Sequence, residues 1–188
     1  MKLQRLLLLA ALVIVSGCTS LSEQQKIAER NELDTVAQTT ISELLKQEPH
    51  LQTQMDEALA YGVANMKVSK IPVVGVGGGE GVLVIKGDEP RVYFTVQRLD
   101  FGAGWGARSY KVLILMNTQE LVADWKDGEW YFDIGAEASA GSAAAQGTSG
   151  DLNPEFTLHV LSDGGASATV TARVIRVTVN KSLTEPLP

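Results

Sequence analysis

Lys70-Ile71-Pro72-Val73-Val74-Gly75-Val76-Gly77-Gly78-Gly79-Glu80-Gly81-Val82-Leu83-Val84 is the stretch on which the fold turns. Before Pro72 the chain is written in helical spacing; after it come β-branched and aromatic runs broken by Gly, Asp and Pro. The glycines invite a phosphate-loop reading, and the neighbouring residues refuse it. A P-loop needs Lys and Ser or Thr after its last glycine, so that side chains meet phosphate and magnesium. Here Val82, Leu83 and Val84 follow. A dinucleotide fingerprint needs a helix opening at the glycines to receive the pyrophosphate, whereas this stretch runs on as a strand. What glycine offers a strand is freedom to bend, to bulge or to pass close to another backbone. The stretch therefore predicts a small, curved sheet.

Upstream, Ile27, Leu33, Val36, Ile41, Leu44 and Leu45 fall close to one stripe, with Glu, Gln, Lys and Arg opposite. Ser22 is placed to cap this helix with Gln25 as capping-box partner, and Pro49 stops it near Glu48. A second helix is predicted over 51–65, with Met55, Leu59 and Val63 inward. The polar faces are too acidic and too mixed in charge for a helix lying on a membrane.

Downstream, strands are predicted at 73–76, 82–86, 91–98, 108–116 and 130–137, with a hairpin-type turn at Gly87-Asp88-Glu89-Pro90. One helix interrupts them: Asn117 caps it, Glu120 completes the box, Leu121, Val122 and Trp125 face inward, and Gly128 ends it. The small-residue stretch 138–150 reads as a loop or closely packed backbone. Strands at 156–161 and 166–179 are expected to pair as a hairpin about Asp163-Gly164-Gly165. The expected class is α+β: two N-terminal helices on a strongly curved, mostly antiparallel sheet or small barrel, with one inserted helix.

The first residues carry an address. Lys2 and Arg5 make a basic start, and residues 6–15 form an apolar core too short to span a bilayer as a helix. Val15-Ser16-Gly17-Cys18 resembles the bacterial lipobox, in which small residues precede the cut and the cysteine sulfur receives diacylglycerol. Cys18 is the chain's single cysteine, so no internal disulfide forms and stability rests on packing. The expected organisation is a signal peptide over 1–17, a lipidated tether over 18–25, one domain over 26–180 and a flexible tail over 181–188. Thr19, where some sorted lipoproteins carry aspartate, resembles the pattern sent to the outer membrane, so a periplasm-facing outer-membrane lipoprotein is expected.

The formal net charge of -6 argues against nucleic acid, since an acidic domain gains nothing from phosphate counterion release. It also makes a poor electrostatic match for anionic lipid surfaces.

Four segments resemble, in order, the SYLF or Ysc84-like domain. They are Lys70-Ile71-Pro72 leading into 75–83; Phe101-Gly102-Ala103-Gly104-Trp105-Gly106-Ala107-Arg108; Val112-Leu113-Ile114-Leu115-Met116-Asn117-Thr118; and Phe132-Asp133-Ile134-Gly135-Ala136-Glu137-Ala138-Ser139. The match covers 58–145. It implies a lipid-binding or membrane-associated module, not an enzyme. Two departures limit it: the basic residues that serve phosphoinositide contact in eukaryotic members have no clear counterpart here, where Lys67 and Lys70 stand in a mixed segment. The family's glycine-rich last strand is also replaced by the 156–179 hairpin. Phosphoinositide and actin recognition therefore do not transfer.

Little else in the chain suggests chemistry. His50 and His159 lack a Cys or second His at ligand spacing; Asp124, Asp127, Glu129 and Asp133 lack the alternation of a calcium loop; no serine sits in a nucleophile elbow. No catalytic residue, metal or cofactor is expected. The candidate ligand-binding residues are Gly77, Gly78, Gly79 and Gly81, with Trp105, whose ring its small neighbours leave accessible unless it covers glycines in a core, and nearby Arg108. The expected function is a non-enzymatic envelope lipoprotein that binds lipid or another apolar ligand, or organises the membrane. The alternatives are a scaffold that binds an envelope protein and, more distantly, a hydrolase.

Overall fold

The computed structural model describes residues 21–87, 90–141 and 155–185. The signal segment, Cys18 and the start of the tether lie outside the described residues. So do Asp88 and Glu89 of the expected turn, 142–150 of the small-residue stretch, and 186–188.

Helix α1, Glu23–Gln47, starts as its sequence dictates. The Gln25 N–H donates to Ser22 Oγ at 3.3 Å and the Ser22 N–H donates to Gln25 Oε1 at 2.8 Å, a reciprocal cap that satisfies two otherwise orphaned donors. It buries Leu33, Ala37, Thr40 and Leu44. Helix α2, Leu51–Glu57, is short, and the helix expected to reach residue 65 is not formed. Instead Ala60–Lys70 is strand β1. Both faces of its first half are covered, so apolar residues fall on both sides and the period of two is hidden there. The helical spacing of Met55, Leu59 and Val63 was coincidental.

The glycine run separates no strands. It is the middle of one strand, β2 (Val74–Ile85), hydrogen-bonded along its length to β1 and to β3 (Val92–Phe101). Then come β4 (Gly104–Met116), helix α3 (Gln119–Asp127), β5 (Glu129–Gly141), β6 (Phe156–Val179) and the short helix α4 (Lys181–Thr184). The cap of α3 is Thr118, one residue later than expected, with its hydroxyl accepting from the Leu121 N–H at 3.3 Å. Gly128 ends the helix at φ 114°, a left-handed value that suits glycine. β5 continues through 138–141, the start of the stretch expected as a loop or closely packed backbone.

The hairpin expected at Asp163 is also absent: β6 is one unbroken strand of 24 residues. Its pairing with β4 passes from Ser109↔Gly164 to Tyr110↔Ser162, so Asp163 is the extra residue of a bulge. A turn is unnecessary because β6 has a partner throughout. Its first part lies against β4 and its last part against β3 and β5. The tail expected from Lys181 begins as α4: Leu183 is buried, and the Thr184 hydroxyl accepts from the Tyr93 N–H at 3.0 Å.

The sheet is antiparallel, in the order β3-β2-β1-β4-β6-β5, which bears out the α+β class. The small barrel is not formed, since the outermost strands β3 and β5 pair with β6 and not with each other. The added β3–β6 pairing nevertheless requires the sheet to bend, because β2, β1 and β4 stand between those strands in the order. The bend creates two cores. Inside it, Met66, Leu83, Phe94, Ile114, Met116 and Phe156 pack with Trp125 of α3. Trp125 stacks on Trp130 at 5.0 Å and meets Phe94 edge-on at 5.1 Å. On the outer face Leu33, Ala37, Leu44 and Leu51 of the first two helices cover Val63, Val82, Leu113 and Leu115. An Arg91–Asp34 ion pair and the Arg30 guanidinium, donating to the Glu185 carbonyl at 2.6 Å, fasten α1 across this face.

Candidate functional site

Cross-strand pairing sets the inner face out in rows over β3, β2, β1 and β4. Successive rows are Phe94-Gly81-Ala64-Val112, Val96-Gly79-Met66-Tyr110, Arg98-Gly77-Val68-Arg108 and Asp100-Gly75-Lys70-Gly106. In every one of these rows β2 contributes a glycine. A Cβ at Gly81 would stand 2.2 Å from the Val63 carbonyl oxygen and 2.6 Å from the Phe94 ring. At Gly79 it would stand 2.5 Å from the Met66 sulfur, and at Gly77 2.7 Å from Val68. The glycines are a floor over which neighbouring strands lay large side chains.

The rows also form a gradient. The α3 end is apolar, and the far end carries Arg98, Asp100, Arg108, Lys70 and Tyr110. Arg98 and Asp100 are 4% and 2% exposed. Arg98 Nε and Nη2 donate to the two Asp100 carboxylate oxygens at 2.8 and 2.7 Å, and Nη1 donates to the Tyr110 hydroxyl. Burial by itself pulls the Arg98 pKa down, but the Asp100 hydrogen bonds and the nearby Tyr110 and Asp100 more than reverse this, leaving it raised. In a flat sheet β3 and β4 would lie roughly 14 Å apart, three strand spacings. Their side chains meet because the sheet bends over a glycine floor. Arg108 lies over the Tyr110 ring at 5.1 Å.

The outer face of the same end is uncovered. Val74 pairs with Phe101, Val76 with Leu99, and Leu99 with Val174, and all five are exposed. Ile71 and Val73 in the adjoining turn and Trp105 are 71%, 68% and 68% exposed. Among the described residues only Ile27 and Leu59 are large exposed hydrophobics elsewhere, so this is a gathered patch, not scatter. At its corner Gly102, Gly104 and Gly106 take φ of 136°, 149° and 141°, a backbone conformation that side-chain-bearing residues avoid.

Between α1 and the sheet lies a groove of about 790 Å³ lined by Gln25, Glu29, Glu32, Lys67, Gly78 and Glu80, among others. Burial, then the charges of Glu80 and Glu32, raise the Glu29 pKa above its ordinary value.

The six candidate residues thus do not form one site. Gly77, Gly79 and Gly81 face inward and are filled over; Gly78 faces outward into the groove; Trp105 is on the outer patch; and Arg108, three residues along the same strand, is on the inner face. Sequence reasoning missed Lys70, Arg98, Asp100 and Tyr110. Arg98 and Asp100 stand two apart in an apolar strand, and Lys70 is in phase with Met66 and Val68. That shared phase was the available signal.

No family model matches the chain, and no curated protein matches it. Among solved structures it is similar to the virulence-associated protein VapD from the intracellular pathogen Rhodococcus equi. The identity is 12%, the match covers 65% of this chain and 96% of that one, and the TM-score is 0.27.

Proposed function

We propose that the protein is a non-enzymatic envelope lipoprotein, anchored through Cys18 in the outer membrane, that binds lipid through the uncovered end of its sheet. The observation that carries this reading is the patch of Val74, Val76, Leu99, Phe101, Trp105 and Val174. Its position supports the reading. The start of α1 covers the sheet at Gly78 and Thr95, where Gln25 lines the groove. The patch begins farther along those strands, at Val76, roughly 7 Å from Gly78, and at Leu99, roughly 13 Å from Thr95. Leu21 packs against the outer core, and Cys18 is three residues earlier, within roughly 11 Å. An acyl chain on Cys18 would therefore enter the bilayer close to the patch. The four segments resembling the SYLF domain point the same way.

The test uses the chain from Thr19 onward, which lacks the anchor but keeps every residue of both cores. It should float with phosphatidylethanolamine–phosphatidylglycerol vesicles, and the F101S/W105S double variant should stay behind. Both residues are exposed, so folding should change little. If the unsubstituted chain neither floats nor carries lipid in native mass spectrometry, lipid binding is refuted. Cross-linking of the patch to a single envelope protein would then favour the scaffold.

A further inference from the structure

The inner face beneath the patch holds a feature that lipid contact does not use. Lys70 is 6% exposed, and its Nζ is buried without a hydrogen-bond partner among the described residues. A buried ammonium with three donors and no acceptor is costly to keep. Asp100, its nearest carboxylate by row, places both oxygens on Arg98. The side chains of Lys70 and Asp100 approach over Gly75, where a Cβ would stand 3.3 Å from Lys70 Cγ and 3.1 Å from Asp100 Cβ. Over β3, β2, β1 and β4 the last two rows carry Arg98, Arg108, Lys70 and Asp100. On these four strands the remaining positions of the two rows are Gly75, Gly77, Gly106 and Val68, which offer no side-chain acceptor.

We propose that this end of the inner face is a binding site for one anionic oxygen group, a carboxylate or a phosphate, with the Lys70 ammonium as its principal donor. Arg98 is held by Asp100 and Tyr110 and acts as fixed positive charge beside it. The site accepts a single charged head, and the sequence of apolar rows beyond it continues the inner core.

Titration calorimetry and thermal melting on the chain from Thr19 onward test this, with inorganic phosphate, sodium decanoate and decan-1-ol as separate probes. Phosphate, decanoate or both should bind one per chain and raise the melting temperature, and decanol should not match them. K70M should weaken anion binding at least tenfold, and K70R should retain it. Because K70M removes an unpartnered buried charge, the unliganded variant should melt no lower than the original chain. The two anions separate a lipid-like carboxylate from a free phosphate as the source. Failure of both anions to bind, equal binding by K70M, decanol binding as tightly as decanoate, or a large drop in the melting temperature of unliganded K70M would each overturn the proposal. Vesicle flotation of K70M should be unchanged, so failure here stays distinct from failure of the membrane reading.

Discussion

Gly78 and Gly81 are three residues apart on one strand and should respond to alanine in opposite directions. At Gly81 the added methyl would stand 2.2 Å from the Val63 carbonyl oxygen and 2.6 and 2.9 Å from atoms of the Phe94 ring. The oxygen belongs to the β1 backbone, locked between β2 and β4, and Phe94 is 2% exposed, so neither yields cheaply. Overpacking of this kind costs about 1–3 kcal/mol. At Gly78 the nearest atom to a new Cβ is the Val96 carbonyl oxygen at 3.4 Å, an ordinary contact. There alanine should gain about 0.4–1 kcal/mol, because it narrows the unfolded ensemble without strain. The two variants should therefore differ by roughly 1.5–4 kcal/mol. For a chain of this size that is roughly 3–15 °C in melting temperature. Urea denaturation followed by far-ultraviolet circular dichroism, with equal slopes for the two variants, measures the difference. Equal stabilities, or a more stable Gly81→Ala, would refute the assignment of alternate glycines to opposite faces of β2.

Two further perturbations probe the charged groups. Asp100→Ala should cost about 3–5 kcal/mol in urea denaturation, because it leaves the buried Arg98 charge uncompensated, while the R98M/D100L pair should cost far less than the sum of its single changes; additive costs would show that the two groups do not depend on each other. Glu29→Gln should change how stability depends on pH. The folded-state pKa of Glu29 is raised, so the folded chain binds its proton more tightly and this group's contribution is lost as pH rises above the ordinary value of 4.5. The variant should gain on the original chain above that value and lose the advantage below it, and a difference flat with pH would refute the raised pKa, and with it burial and the charges of Glu80 and Glu32 as its causes.

Local chemistry made several elements readable. Ser22 with Gln25 and Pro49 bracket α1, and Gly128 closes α3, because caps and breakers act over a few residues. The small neighbours of Trp105 allowed either an accessible ring or a core tryptophan over glycines, and the structure exposes it. Where both faces of a strand are covered, as at Val63 and Ala64, burial leaves no alternation to read, and 60–65 looked helical. Asp163-Gly164-Gly165 carried a turn signature, but the long edge offered by β3 and β4 made a bulge sufficient.

By itself the sequence determined the α+β class, the boundaries of α1, the inserted helix and the mainly strand character of the chain after Pro72. The lipobox-like run ending at Cys18 lies outside the described residues and stands as an expectation. The sequence could not say what the glycines of 75–81 were for, because that depends on which residues stand beside them. Only the pairing of β2 with β1 and β3 placed Val68, Met66 and Phe94 over Gly77, Gly79 and Gly81. Only the bend brought Arg98 to Tyr110 across two intervening strands and enclosed the Lys70 ammonium beside them. Propensity and capping are properties of neighbours along the chain. The charge and space at the end of this sheet are properties of neighbours across it, set by register and curvature.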